Sequence, residues 1–275
     1  MYQVDVFTDR PLAGNPLAVF PHAEGLSEEQ MQAIAREMNL SETTFVTPGN
    51  GEVSANVRIF TPGYEMPFAG HPTLGTAYVV RELSSARDSV LLRMPAGDIP
   101  VRVADDVWTL QANAPVSYPV DVSHSDLTAM LGLPADRVAA EPLWVDTGTI
   151  QLILPLRSAE DVRAASADPG LLAKFATRPD GETLVYFWAP TGPDTIESRL
   201  FFTQGHSVIE DPATGSACAN LGGWFVANGQ RGLRRRIHQG SAIGRPSILD
   251  LAVQDDDTIL VSGAVREVGR GVFTL

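Results

Sequence analysis

The sequence predicts an α+β fold in two halves, and three observations carry that expectation. The 275 residues suit about two domains at roughly 100–200 residues each. Short apolar strands alternate with a few helices along the chain. One pattern also occurs twice. Arg58-Ile59-Phe60 and Arg199-Leu200-Phe201 each close a strand, a glycine-containing loop follows, and then a Gly-polar pair, Gly70-His71 or Gly215-Ser216, opens a helix of small residues. Two related halves would let those helix starts face one another across a cleft.

Residues 4–7 and 17–20 read as strands around a turn containing Gly14-Asn15-Pro16. Ser27 caps a helix to about residue 38, with Glu28 and Glu29 in its first turn and Met31, Ile34, Ala35 and Met38 on one face. Strands follow at 43–47 and 53–60, then the helix from Gly70 to about residue 80, then strands near 90–94, 99–104 and 108–112. Residues 115–119, bounded by prolines, read as a linker. The second half has a short helix at 125–131, strands near 144–147 and 151–155, helices at 159–165 and 169–175, strands at 183–189 and 196–202, and the helix from Gly215 to about residue 227. The domains are therefore expected at 1–115 and 116–264, with a last strand near 265–275 returning to the first.

Composition excludes several classes. A net charge of −13 disfavours nucleic-acid and membrane-surface binding, since both attract basic surfaces; the run Arg234-Arg235-Arg236 is a local exception. No apolar stretch reaches the roughly 20 residues of a membrane span. The N-terminus alternates like a strand and lacks a signal-peptide layout, so a cytoplasmic protein is expected. Cys218 stands alone, which rules out an intrachain disulfide and a thiolate metal cluster. Lys174 is the single lysine and follows Ala173, so there is no P-loop. The five histidines are scattered without ligand spacing, and no metal is expected.

The residues able to carry chemistry each have two readings. Glu42, between a helix end and an apolar strand, is a solvated loop charge or a general acid/base, which burial makes useful by raising a carboxyl pKa from about 4.3. His71 is a capping or core histidine, or it hydrogen-bonds a substrate. Asp211 before Pro212 is a turn starter and Ser216 an N-cap, or both meet a ligand. Asn15 is a turn residue. Ser216 is no nucleophile elbow, because Gly-x-Ser-x-Gly would need glycine at Thr214. Gly70 and Gly215 permit close approach to helix N-termini, whose unpaired N–H groups and roughly half a positive charge suit a carboxylate.

Four stretches in order resemble the PhzF family, named for a phenazine-biosynthesis isomerase. They are Gly14-Asn15-Pro16-Leu17-Ala18-Val19, Ser41-Glu42-Thr43-Thr44-Phe45-Val46, Arg58 to Pro62 with Glu65 to Ala77, and Glu210-Asp211-Pro212-Ala213-Thr214-Gly215-Ser216-Ala217. The resemblance implies a diaminopimelate-epimerase-like fold, with two similar α/β domains related by a pseudo-twofold axis. Each would wrap a curved sheet around a central helix, with the active site between them. It puts the catalytic carboxylate on Glu42 and substrate positioning on His71, Asp211 and Ser216, with backbone amides at Gly70 and Gly215; Asn15, in the first matching stretch, is expected among the substrate-binding residues. It further implies a homodimer, a small anionic metabolite as substrate and no cofactor.

Related amino-acid epimerases carry two cysteines just before the two glycines. Here those places hold Ala69 and Thr214, which cannot exchange a proton, so the chemistry falls to Glu42. The implied reaction is an allylic isomerisation, as on trans-2,3-dihydro-3-hydroxyanthranilate: Glu42 removes a proton beside a conjugated double bond and returns it to another carbon. Two departures bear on the pocket: the segment 202–207 lacks the family's proline, and Cys218 follows Ser216 closely. Epimerase or cyclase chemistry on the same fold, and a non-catalytic metabolite-binding protein, are the other readings.

Overall fold

The computed structural model describes residues 1–84, 88–178, 181–204 and 207–274. Gly205 and His206 of the departing segment, and residue 275, lie outside the described residues. The chain divides into two compact units. Unit 1 comprises Met1–Gln111 with Ser262–Leu275, and unit 2 comprises Ala112–Val261.

Unit 1 contains β1 (Tyr2–Val6), β2 (Asn15–Phe20), α1 (Glu28–Met38), β3 (Thr43–Pro48), β4 (Ala55–Phe60), β5 (Glu65–Met66), α2 (Gly70–Leu83), β6 (Ser89–Met94), β7 (Gly97–Ala104) and β8 (Val107–Gln111). Gly14 sets up the turn into β2: its φ is +69°, and a Cβ there would lie 2.3 Å from the Val6 carbonyl oxygen, so only glycine fits. Helix α1 starts with a reciprocal capping box, in which Ser27 Oγ accepts from the Gln30 N–H and Gln30 Oε1 accepts from the Ser27 N–H. Its apolar face, Met31, Ile34 and Ala35, packs on Phe20, Phe45 and Phe60, outside the sheet.

Helix α2 is different. It is buried on nearly every side, from Gly70 through Ala77 and again at Val79 and Val80, and packs against β1, β2, β3, β6, β7 and β8. A helix so enclosed needs small residues. At Gly75 a Cβ would lie 2.6 Å from Leu17 Cδ2 and 2.9 Å from Val6 Cγ2. The sheet curls around it: β1 pairs with β2, β2 runs parallel to β3, β3 antiparallel to β4, β4 parallel to β6, and β6 to β7 and β7 to β8 are antiparallel. The last strand, which pairs with both β8 and β1, closes the barrel.

Unit 2 holds β9 (Val116–Pro119), α3 (His124–Ala129), β10 (Leu143–Asp146), β11 (Ile150–Pro155), α4 (Ala159–Ala164), α5 (Pro169–Phe175), β12 (Leu184–Pro190), β13 (Thr195–Gln204), β14 (Ser207–Asp211), α6 (Gly215–Ala227), β15 (Leu233–Gln239), a 3₁₀ turn at Ser241–Ile243, β16 (Ser247–Val253) and the start of β17 (Ile259–Arg270). Its pairings run β10 antiparallel to β11, β11 parallel to β12, β12 antiparallel to β13, β13 parallel to β15, and β15 antiparallel to β16. Helix α6, as rich in small residues as α2, is buried from Ala217 to Phe225 and packs against β9, β10, β11 and β16. Helices α3, α4 and α5 cover a second apolar cluster that includes Leu127, Leu154, Leu172 and Phe187.

Three sequence expectations change here. Residues 115–119 are not a linker: β9 pairs with β10 from Val116↔Asp146 to Pro119↔Leu143. All four β9 residues are exposed, so no hydrophobic pattern announces it. Strands β14, β15 and β16 had no sequence assignment. The final strand spans Ile259–Arg270 rather than 265–275. The basic run 234–236 lies within β15, whose buried positions are Leu233, Ile237 and Gln239.

Candidate active site

In unit 1, Glu42 immediately precedes β3 and His71 is the second residue of α2. Glu42 Oε2 and His71 Nε2 face each other at 3.3 Å, with side-chain exposures of only 15% and 7%, and both atoms are closed to solvent. Desolvation pushes the His71 pKa down to about 3, because burial disfavours the imidazolium. His71 is therefore neutral at working pH. Its Nε2 can donate to the Glu42 carboxylate or accept from the Glu42 carboxyl, and it does not hold a competing positive charge. Asn15 is fully buried at the head of β2 and accepts from Ser41 Oγ at 3.3 Å, which ties the residue before Glu42 to the turn set by Gly14.

The start of α2 has no side-chain cap; its N-cap residue is Ala69, not His71. Thr73 Oγ1 donates to the Ala69 carbonyl at 2.6 Å, and Thr76 Oγ1 donates to Thr44 Oγ1 at 2.8 Å. The entry loop is fixed by Arg58 on β4, which makes a two-pronged bond to Glu65 on β5, Nε to Oε1 at 2.7 Å and Nη2 to Oε2 at 2.5 Å.

In unit 2, Arg199 on β13 clasps Glu210 on β14 in the same way, at 3.1 and 2.7 Å. Asp211, next along, accepts from Thr214 Oγ1. Gln239 stitches this turn together: its Nε2 donates to the Asp211 carbonyl at 2.9 Å and to Thr214 Oγ1 at 3.0 Å, and its Oε1 accepts from the Thr214 N–H at 3.3 Å. Helix α6 begins at Gly215 with Thr214 as N-cap and no side-chain cap bond. Ser216 is therefore the second helical residue rather than the N-cap, and its Oγ accepts from Gln151 Nε2 at 3.1 Å. Cys218 is wholly buried and its thiol pKa is pushed up, chiefly by desolvation, so the thiolate that would react is disfavoured.

Glu42, His71 and Asn15 thus gather in unit 1, and Asp211, Ser216 and Gly215 in unit 2. Sequence reading missed Gln151, Asn220, Thr147 and Gln239. One signal existed: Asn220 lies four residues after Ser216, on the same helix face. Among the described residues no group of His, Cys, Asp and Glu is arranged to hold a metal, and no helix is long and apolar enough to cross a membrane.

A family model described as phenazine biosynthesis-like protein, PhzC-PhzF, matches residues 4–272. The chain belongs to this family. An uncharacterized isomerase of Pasteurella multocida is 40% identical, covering 98% of this chain and 91% of the relative. The trans-2,3-dihydro-3-hydroxyanthranilate isomerase of Pseudomonas aeruginosa is 36% identical, covering 89% of this chain and 86% of its own length. Among solved structures, a predicted epimerase of the same bacterium superposes with a TM-score of 0.83 at 29% identity, covering 100% of this chain and 98% of the other. A probable proline racemase from Agrobacterium radiobacter shares the fold at TM-score 0.65 and 12% identity, covering 100% and 92%. This member of the PhzF family is a PhzF-like isomerase with a mixed α/β, barrel-forming fold.

Proposed function

We propose that this isomerase moves a proton on a small carboxylate-bearing substrate, with Glu42 as the single acid/base group. The observation that carries the reading is the shielded Glu42–His71 pair, 3.3 Å apart, at the uncapped start of α2. As a carboxylate, Glu42 abstracts a proton beside a conjugated double bond and, once protonated, returns it to another carbon. Neutral His71 orients Glu42 and a substrate hydroxyl or amino group. Asp211, Ser216 and Asn15 position the substrate, and the amides of Gly70 and Gly215 hold its carboxylate.

Ala69 and Thr214 leave no thiol pair, which supports one-carboxyl chemistry over a two-base racemisation. The substrate named for the Pseudomonas aeruginosa relative, trans-2,3-dihydro-3-hydroxyanthranilate, has the required parts: a carboxylate, an amino group, a hydroxyl and a conjugated ring. The matching pairing schemes of the two units support two related domains of diaminopimelate-epimerase type. A cytoplasmic, cofactor-independent homodimer completes the reading.

The test is isomerisation of trans-2,3-dihydro-3-hydroxyanthranilate in D₂O. Wild type is expected to place deuterium on a ring carbon and Glu42→Gln is not, with the melting curve retained. Turnover and label uptake by Glu42→Gln at the wild-type rate would end the assignment.

A further inference from the structure

Beneath Ser216 runs a buried chain of polar side chains. Thr147 Oγ1 donates to Asn220 Oδ1 at 2.7 Å. Asn220 Nδ2 donates to the Thr149 carbonyl at 2.8 Å and to Gln151 Oε1 at 2.8 Å. Gln151 Nε2 donates to Ser216 Oγ at 3.1 Å. Asn220 is wholly buried and Gln151 nearly so, so neither amide can turn towards solvent to escape a bad pairing.

The order of donors along this chain is forced. A backbone carbonyl only accepts, so the Asn220 atom facing Thr149 must be its nitrogen. That leaves the second Asn220 N–H for Gln151, whose oxygen must therefore face Asn220. Turning Asn220 over would oppose two acceptors, and turning Gln151 over would oppose two donors. Each would leave buried donors or acceptors without a partner, which strongly disfavours the turned form. Gln151 thus presents N–H to Ser216, occupies a lone pair of Oγ, and leaves the Ser216 proton to be given elsewhere.

We propose that Thr147, Asn220 and Gln151 are positioning residues that fix the Ser216 hydroxyl as a donor, so that unit 2 selects a substrate carboxylate over its uncharged analogues. This rests on Ser216 meeting the substrate, as in the function proposed above. A hydroxyl locked as donor suits a group with lone pairs and no proton, and it adds to the uncapped N–H groups of α6. A serine free to rotate would serve an amide N–H or a protonated acid as well.

Calorimetric titration with anthranilate and with its uncharged amide, 2-aminobenzamide, tests the chain without turnover. Wild type is expected to prefer anthranilate by tenfold or more. Gln151→Glu turns the partner of Ser216 into an acceptor, captures its proton and should remove that preference. Asn220→Leu adds no charge but frees Gln151 to turn over. It should lower the preference severalfold, and adding Ser216→Ala to it should cost little more, whereas Ser216→Ala alone costs the full amount. Label uptake by a variant that still folds should show a raised KM with kcat within about threefold of wild type. Retention of the wild-type preference by both variants overturns the inference, as does equal binding of the two ligands by wild type. The Glu42→Gln labelling experiment is unaffected by either result and decides the acid/base assignment separately.

Discussion

The two helix starts share a scaffold and differ in chemistry. Each follows an arginine–glutamate clasp, opens on glycine without a side-chain cap, and continues as a helix of small residues buried within its own unit. At α2 the polar side chains are a carboxyl and an imidazole in a shielded pair. At α6 they are amides and hydroxyls, together with one carboxylate, Asp211, that accepts from Thr214. One building plan thus holds a shielded carboxyl–imidazole pair in one copy and a set of bonded amides and hydroxyls in the other. A pair of thiols at Ala69 and Thr214 would make the two ends chemically alike; this chain has made them unlike.

The sharpest way to break this asymmetry is at Glu42. Glu42→Gln should lower the isomerisation rate by about 10²–10⁴-fold, whereas Asp211→Asn, which keeps an acceptor for Thr214, should raise KM more than it lowers kcat. A loss of kcat at Asp211 as large as that at Glu42 would mean that both helix starts carry proton chemistry.

The two clasps allow a stability comparison. Arg199 and Glu210 have side-chain exposures of 12% and 6%, against 35% and 26% for Arg58 and Glu65, and Arg199 also donates to the carbonyls of Val162, Arg163 and Ala165. Removing one partner of a buried pair strands the other charge, at a cost of about 3–5 kcal/mol; half-exposed pairs cost roughly 0–1 kcal/mol. Glu210→Ala should therefore lower the denaturant midpoint far more than Glu65→Ala. Equal losses would show that the two clasps are energetically alike.

His71 gives a pH test. The folded state keeps it neutral down to about pH 3, while an unfolded histidine takes up a proton near 6.5. Acid therefore favours the unfolded chain between those values. Stability is full above pH 6.5 and falls as pH drops towards 3, by about 2 kcal/mol at pH 5 on this group alone. His71→Gln should lose less stability than wild type between pH 7 and pH 5. If Glu42 instead held an imidazolium, the sign would reverse and the variant would lose more.

A last comparison concerns packing of the two inner helices. Gly75→Ala puts a methyl against Leu17 and Val6, and Gly222→Ala puts one 2.7 Å from Ile259 Cγ2. Each should cost about 1–3 kcal/mol by overpacking. Thermal melts that leave either variant at the wild-type Tm would show that the helix–sheet fit has room for a methyl group.

Much of this was legible in the sequence because local chemistry and global structure agree there. Ser27, with Glu28 and Glu29 in the first turn, announces α1, and the glycine-led runs that open at Gly70 and Gly215 announce the two inner helices, since only small residues survive such enclosure. Glu42, His71 and Asp211 could be named, but their surroundings could not. The partner of Ser216 lies 65 residues away and that of Asn220 as far as 73, and no periodicity links them. Strand β9 escaped notice because all four residues are exposed and only pairing with β10 makes it a strand. In β16 every second residue is buried, but in β15 Arg235 takes a position of the same parity as buried Leu233 and Ile237, so the run 234–236 breaks the apolar alternation.

Strand β17 carries a consequence for how the chain is made. Unit 2 is an uninterrupted stretch, Ala112–Val261, whereas unit 1 needs residues from Ser262 onward, whose pairing with β1 and β8 seals its barrel. During synthesis the half bearing Glu42 must wait, with β1 and β8 as open edges, while the half bearing Ser216 has all its strands and can fold first. Met1 and Gly271 then exchange two hydrogen bonds, at 2.6 and 3.0 Å. A chain rejoined at that point and reopened between the units could fold its two parts in the opposite order.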